Sequence, residues 1–168
     1  NFTSVLIESQ LKGHIEGFMK IDLHCHTYYS DGQLSPVELV DRAHNMQVDV
    51  LAITDHDTVQ GLDEALAHQA KQKRAMHIVN GIELSTSWHN FDIHILGLNV
   101  NKDDAVFCQR LVEQKNERDA RAQKMSDKLA KAGVENVLQD AKLLAGEGQL
   151  TRAHFARVLV ARKEVRDF

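Results

Sequence analysis

Apolar and polar positions divide the chain into two unlike stretches. In the first, Lys20 to His24 reads as a short strand. Ser35-Pro36-Val37-Glu38 is a capping box with proline at the first helical position, which predicts a helix from Pro36 to about Met46. Residues 48–54 (VDVLAIT) are a nearly continuous apolar run, the pattern of a strand buried on both faces. In residues 58–73, Val59, Leu62, Leu66 and Ala70 fall on one helical stripe. Residues 75–84 and 91–100 are strand-like and follow each other as a hairpin-like pair. Strand, helix, strand, helix, strand is the signature of parallel β/α units, so the expected class is α/β.

After Asn101 the pattern changes. Residues 103–132 read as one long helix ending at Gly133, followed by a helix near 134–145 and a third from Thr151. The middle of the long helix, EQKNERDARAQK (113–124), is almost wholly polar. A helix of that kind either crosses solvent or faces a charged ligand. The expected organisation is a β/α domain over 19–102 interrupted by a small helical domain over 103–168.

Composition narrows the classes. A chain of 168 residues with 43% hydrophobic side chains can build one ordinary core. Two cysteines, Cys25 and Cys108, make no disulfide framework, which suits a reducing, cytoplasmic setting. No apolar run reaches the length of a membrane span, and Val5-Leu6-Ile7 is too short for a signal-peptide core. Met19 stands directly before the first strand, so residues 1–18 are expected to be a non-native or alternative extension. Residues 1–102 carry 7 Lys+Arg and 13 Asp+Glu, whereas 103–168 carry 13 and 11. An acidic, histidine-rich first stretch suits bound cations better than direct coating of a polyanion.

The candidate chemistry lies in that stretch. In KIDLHCHTYYSDG (20–32), His24 and His26 are two apart on a strand and so share a face. Asp31 follows in the next loop, His56 lies in TDHD directly after the apolar strand, Glu83 in GIEL and His94 in FDIHILG. TDHD alone could be a turn with a helix cap, and Glu83 alone an exposed strand residue. Together they stand at the ends of consecutive strands, which converge on one face in parallel β/α architectures. Imidazoles with carboxylates suit Mn²⁺, Fe²⁺ or Zn²⁺. Asp22, Asp55 and Asp57 flank the ligands and are expected to orient imidazole N–H groups. Cys25 should face the opposite side and pack.

The motif order HxH, SDG, TDHDT, GIELS, IHILG resembles that of the PHP (polymerase and histidinol phosphatase) superfamily. KIDLHCHTYYSDG and AITDHDTVQGL are closest to its TrpH/YciV-like branch of bacterial nucleotide phosphatases and 5′-to-3′ exoribonucleases. The resemblance implies a distorted (β/α)7 barrel with a trinuclear metal centre, Mn²⁺ foremost, and a helical insertion. By position, His24 and His26 would hold the first ion with Glu83, Asp31 and His56 the second, and Glu83 would bridge to a third held also by His94. Glu83 and His56 would then be catalytic, and water activated by the ions would attack phosphorus. The family completes this centre with a further histidine and a C-terminal Asp-x-His. After His94 the sequence has only His154, in a helical pattern, so the chain is expected to hold part of the barrel, with little activity by itself.

Arg118 and Arg121, three apart on the polar helix, either grip phosphates or form a solvated face balanced by Glu117 and Asp119. Arg152 and His154 follow Thr151, a good N-cap, at the positive end of a helix: an anion site or a solvated helix start. The expected substrate is a nucleotide or a short 5′-phosphorylated RNA, with no membrane and no obligate protein partner. A histidinol-phosphatase-like enzyme, or an inactive fragment that binds metal or RNA, are the alternatives.

Overall fold

The computed structural model describes residues 4–7, 19–89 and 91–165. Five strands, β1 (Ser4–Ile7), β2 (Met19–Cys25), β3 (Val50–Ile53), β4 (His77–Trp88) and β5 (Phe91–Leu98), lie side by side in chain order. β2, β3 and β4 are parallel, while β1 and β5 are antiparallel to their neighbours. The sheet curls as half of a barrel. Helices α1 (Pro36–Asn45) and α2 (Gly61–Gln69) make the two crossovers. The α/β class with a partial barrel and appended helices is therefore the observed architecture. β1 was not foreseen as an element, and the rest of residues 1–18 lies outside the described residues.

Local chemistry sets these elements. The amide of Glu38 donates to Ser35 Oγ (3.1 Å) and Glu38 Oε2 accepts the Ser35 amide (2.8 Å), closing the capping box that starts α1. Asp49 Oδ2 accepts the Lys20 amide (2.8 Å) and Asp49 Oδ1 pairs with Arg74 (2.6 Å), which pins the entrance of β3 beside β2. Leu51, Ala52 and Ile53 are all buried, as a strand covered on both faces requires. α2 begins at Gly61 rather than near Thr58. Asp57 takes a left-handed backbone (φ 51°), and the Thr58 hydroxyl holds the Gln60 amide in a turn instead. β4 runs four residues further than its apolar pattern, through the polar Ser85-Thr86-Ser87, because each of these pairs with β5.

Among the described residues there are two hydrophobic clusters. One joins Leu39 and Val40 of α1, Leu51 and Ile53 of β3, and Leu62 of α2, with Cys25 packed among them. The other joins Ala122 of α3 (Ala105–Lys131), Val137 and Ala141 of α4 (Val137–Ala145), and Phe155 and Val158 of α5 (Arg152–Ala161). The buried residues of α3 are only Arg118 and Ala122, so its polarity reflects a charged partner within the protein. No helix among the described residues is long and apolar enough to cross a membrane.

Leu51 sits at the centre of the first cluster and is 1% exposed. Leu51→Ala should lower unfolding free energy by about 2–5 kcal/mol, the range for emptying a packed leucine site. Urea unfolding followed by circular dichroism checks this, and a loss below ~1 kcal/mol would mean that the site collapses freely.

Candidate metal centre

The centre is built where β4 overshoots β3. The Glu83 amide donates to Asp55 O (3.1 Å) and the Asp57 amide donates to Glu83 O (3.0 Å), so the strand keeps pairing with the TDHD segment after β3 has ended. This bridge sets Glu83 beside His56. Across the sheet, β2 carries His24, and His26 stands one residue past the end of the strand, their rings 5.1 Å apart. Cys25 turns to the core between them, its thiol donating to Ala52 O (3.0 Å).

Glu83 is the hub. Its Oε2 lies 2.9 Å from His24 Nε2, 3.1 Å from His26 Nε2 and 3.8 Å from His56 Nδ1, and its Oε1 is 2.6 Å from His94 Nδ1. Asp31 reaches His26 Nδ1 at 3.6 Å and His56 Nε2 at 3.5 Å. All six candidate ligands are thus brought together, in three groups: His24, His26 and Glu83; His26, Asp31 and His56; His56, Glu83 and His94. His26 and His56 each belong to two groups, where the sequence reading gave each one ion. The innermost members are Glu83 and His56, and the opening lies at His24 and His94.

The donor set fits a divalent ion. Burial raises the affinity of Glu83 for a proton, but the bond with His24 and the neighbouring His56 and His26 rings outweigh it and hold the carboxyl below its usual range. Asp31 is likewise desolvated, yet His56 and His26 hold it at about 2. Burial lowers the pKa of His26. Ionised carboxylates and neutral imidazole are the forms that bind metal. The buried His56 Nδ1 has no hydrogen-bond partner, as suits a nitrogen whose lone pair serves an ion.

The hydrogen bonds of the three flanking aspartates run to the frame around the ligands rather than to imidazole N–H groups. Asp22 Oδ1 accepts the His24 backbone amide (3.3 Å). Asp55 accepts the Thr27 amide (2.7 Å), the Thr27 hydroxyl (2.6 Å) and the Ser30 hydroxyl (2.6 Å), fixing the loop that ends in Asp31. A Cβ at Gly32 in that loop would fall 2.3 Å from His26 O, so only glycine lets the loop fold back so tightly. Asp57, fully buried, accepts the Ser85 amide (2.8 Å) and pairs with Arg118.

A cavity of about 130 Å³ opens beside the centre. Asp31, His56 and His94 line it together with Arg121 and Arg152, and Ser85 and Thr86 of β4 line it as well. Arg121 has no hydrogen-bond partner among the described residues, and Arg152 pairs with Asp92 at 2.6 Å. Arg118 is neither solvated nor free: it is buried, with Nε on Asp57, Nη2 on Ser85 Oγ (2.6 Å) and Nη1 near Leu150 O (3.4 Å). His154 is 2% exposed and does not line the cavity; its Nδ1 accepts the Thr151 amide (3.1 Å) and lies 3.0 Å from the Thr151 hydroxyl. Its ring serves the cap of α5, because the side chain at the third helical position can fold back on the N-cap. Ser85, Thr86 and Asp92 had no signal beyond their nearness to GIEL and to His94.

Imidazoles and carboxylates converging from β2, β4 and β5 and from the segments after β2 and β3, on a curled half-barrel, define a β/α-barrel domain with a cluster suited to divalent metal. The chain belongs to the PHP domain family, whose model matches residues 22–167. It is 48% identical over 141 residues to a 5′-3′ exoribonuclease of Haemophilus influenzae and 44% identical over 139 residues to the 5′-3′ exoribonuclease Rnm of Escherichia coli, covering 84% and 83% of this chain but 50% and 47% of those proteins. It is 37% identical over 148 residues to a 3′,5′-nucleoside bisphosphate phosphatase of Chromobacterium violaceum, covering 88% of this chain and 51% of that one. Among solved structures, an amidohydrolase from Chromobacterium violaceum with bound sulfate and no metal superposes with a TM-score of 0.81 at 37% identity, over 88% of this chain and 51% of the other. The chain spans about half the length of the curated relatives it matches.

Two expectations follow. Glu83→Gln should release most bound divalent metal, because one carboxylate reaches four imidazoles. Metal content after dialysis, by mass spectrometry, checks it, and wild-type content would exclude Glu83 as a ligand. Separately, His154 is held below its usual pKa by burial and by Arg157, against a smaller opposing pull from Asp31. The unfolded chain takes a proton near pH 6.5 that the folded chain refuses, so stability from His154 is complete above that pH and falls as pH drops below it. His154→Gln keeps the capping pattern without the titrating ring. The urea midpoint of the wild type should therefore drop more between pH 7.5 and 5.5 than that of His154→Gln; equal drops would refute the linkage.

Proposed function

We propose that this domain hydrolyses phosphate esters of nucleotides, as a 3′,5′-nucleoside bisphosphate phosphatase, a 5′-to-3′ exoribonuclease on short RNA, or both. The observation that carries the reading is the single cavity lined by Asp31, His56 and His94 and also by Arg121 and Arg152. An anion gripped by the arginines lies next to the cluster of ligands.

His24, His26 and Glu83 would hold one ion, Asp31 and His56 with His26 a second, and Glu83, His56 and His94 a third. Mn²⁺ is the foremost candidate and Fe²⁺ or Zn²⁺ the alternatives, on the mixed imidazole and carboxylate set. When bound, such ions neutralise phosphoryl charge and activate water for in-line attack. Arg121 is available to grip a phosphate group at once. Arg152 would exchange Asp92 for it, trading one exposed ion pair for a charge-assisted contact. Arg118 acts one step back: it fixes Asp57 and Ser85, and with them the cavity wall. The branch names of the similar proteins, exoribonuclease and bisphosphate phosphatase, favour nucleotides over histidinol phosphate. Two unpaired cysteines, one buried, suit a reducing compartment such as the cytoplasm.

The test assays the gene product that carries these residues, with Mn²⁺, on a nucleoside 3′,5′-bisphosphate, a short 5′-phosphorylated RNA and histidinol phosphate. Turnover is expected on the nucleotide substrates and should vanish in His56→Ala. The Arg121→Ala, Arg152→Ala double variant should raise KM about 10–100-fold with a smaller change in kcat, the sign of lost substrate binding. Preference for histidinol phosphate, or unchanged kinetics in the double variant, would overturn the assignment.

A further inference from the structure

We infer that the helical segment tunes one ion position, and that Arg157 is the positioning residue through which it does so. The inference rests on the metal-centre reading above and adds a part that the ligand motifs do not contain.

His24, Glu83 and His94 stand on strands, and His26 follows β2 directly, but Asp31 hangs on the loop between β2 and α1. That loop is tied down by Asp55 through Thr27 and Ser30. Between and beyond those ties, the loop rests on the helical segment at Tyr28, Tyr29 and Asp31. Gly148 lies so close to Tyr28 O that a Cβ there would be 2.4 Å away. The Gln149 amide donates to Tyr29 O (2.7 Å). Arg157 Nη2, from α5, donates to the carbonyl of Asp31 itself (2.7 Å). A ligand on a loop is free to rotate away from its ion unless its backbone is held, and here a guanidinium 126 residues away holds it.

On the opposite side of the same group, Arg118 of α3 pairs with Asp57, the residue after His56. Two of the three side chains in the His26, Asp31 and His56 group are thus braced by the helical segment. The His24, His26 and Glu83 group stands on β2, the residue after it and β4, and Arg157 bonds to none of its three members. Weakening the brace should therefore loosen one ion and spare another.

The experiment is titration of the metal-free protein with Mn²⁺, followed by calorimetry, with apo-protein melting measured alongside. Arg157→Ala should weaken one class of sites about 10–100-fold, the usual cost of removing a group that supports a ligand, and leave another unchanged. Arg157→Lys, which can still donate to Asp31 O, should recover most of that loss. Arg157→Met keeps the apolar stem and should behave as Arg157→Ala, which separates the lost bond from loosened packing. In an Asp31→Ala background Arg157→Ala should add no further loss, whereas in a His24→Ala background its effect should persist. Unchanged binding, uniform weakening of all sites, or an effect that survives Asp31→Ala would overturn the inference while leaving the metal centre intact. A wild-type protein that binds no divalent ion would remove the metal centre itself and this inference with it.

Discussion

Two backbone hydrogen bonds, from the Glu83 amide to Asp55 O and from the Asp57 amide to Glu83 O, set the geometry of this molecule. They extend sheet pairing past the end of β3 into a segment with no strand of its own. Three consequences follow from that extension. Glu83 is carried inward until its carboxylate faces four imidazoles. His56 is turned to the same point. Asp55 and Asp57, on either side of His56, are directed outward in opposite senses, one to the Asp31 loop and the other to α3. A single overrun of one strand thus connects the ligands, the loop and the helical segment.

Such an arrangement places Asp55 and Asp57 where water cannot reach them, and both are answered. Asp57 is fully buried and meets Arg118. Asp55 is buried and accepts three hydrogen bonds. A buried carboxylate deprived of its partner costs several kcal/mol, so these pairs constrain the packing of α3 on the barrel more than they add net stability. That also explains the odd composition of α3. Its inner face carries an arginine because the surface it covers presents a carboxylate.

Much of the sheet was legible in the sequence, and for a physical reason. Period-two patterning placed His24 and His26 on one face, the capping box started α1 where it was expected, and the apolar run marked the buried strand β3. Chemistry written in short spacing can be read from short spacing. The six candidate ligands could be named for the same cause, each lying in or beside a short strand-like motif, although Glu83 and His94 prove to stand within their strands and Asp31 on a loop. What escaped was set by contacts distant in sequence. Nothing near Arg118 announces Asp57, 61 residues earlier, and nothing near Arg157 announces Asp31. Polar Ser85 and Thr86 looked like the end of a strand because pairing with β5, not burial, keeps them extended. His154 looked like an anion ligand because its helix-start position is visible in sequence while its burial is not.

The uneven charge of the two stretches gains a meaning from this geometry. The acidic stretch supplies the carboxylates that gather cations, and the basic stretch supplies the arginines that face the same cavity. An anionic ester approaching carboxylates alone would be repelled. Were ions held by those ligands, they and the guanidinium groups lining the same cavity would together make its potential favourable to an anion. Asp92 keeps Arg152 oriented toward that space through an exposed pair, which is weak enough to yield to a doubly charged group. The helical segment therefore acts on the centre in two ways at once: Arg121 and Arg152 face the cavity, while Arg118 and Arg157 hold the backbone and carboxylates on which two of the ligands depend. The helices that follow β5 thus bring positive charge to an acidic sheet from outside its cluster of histidines and carboxylates.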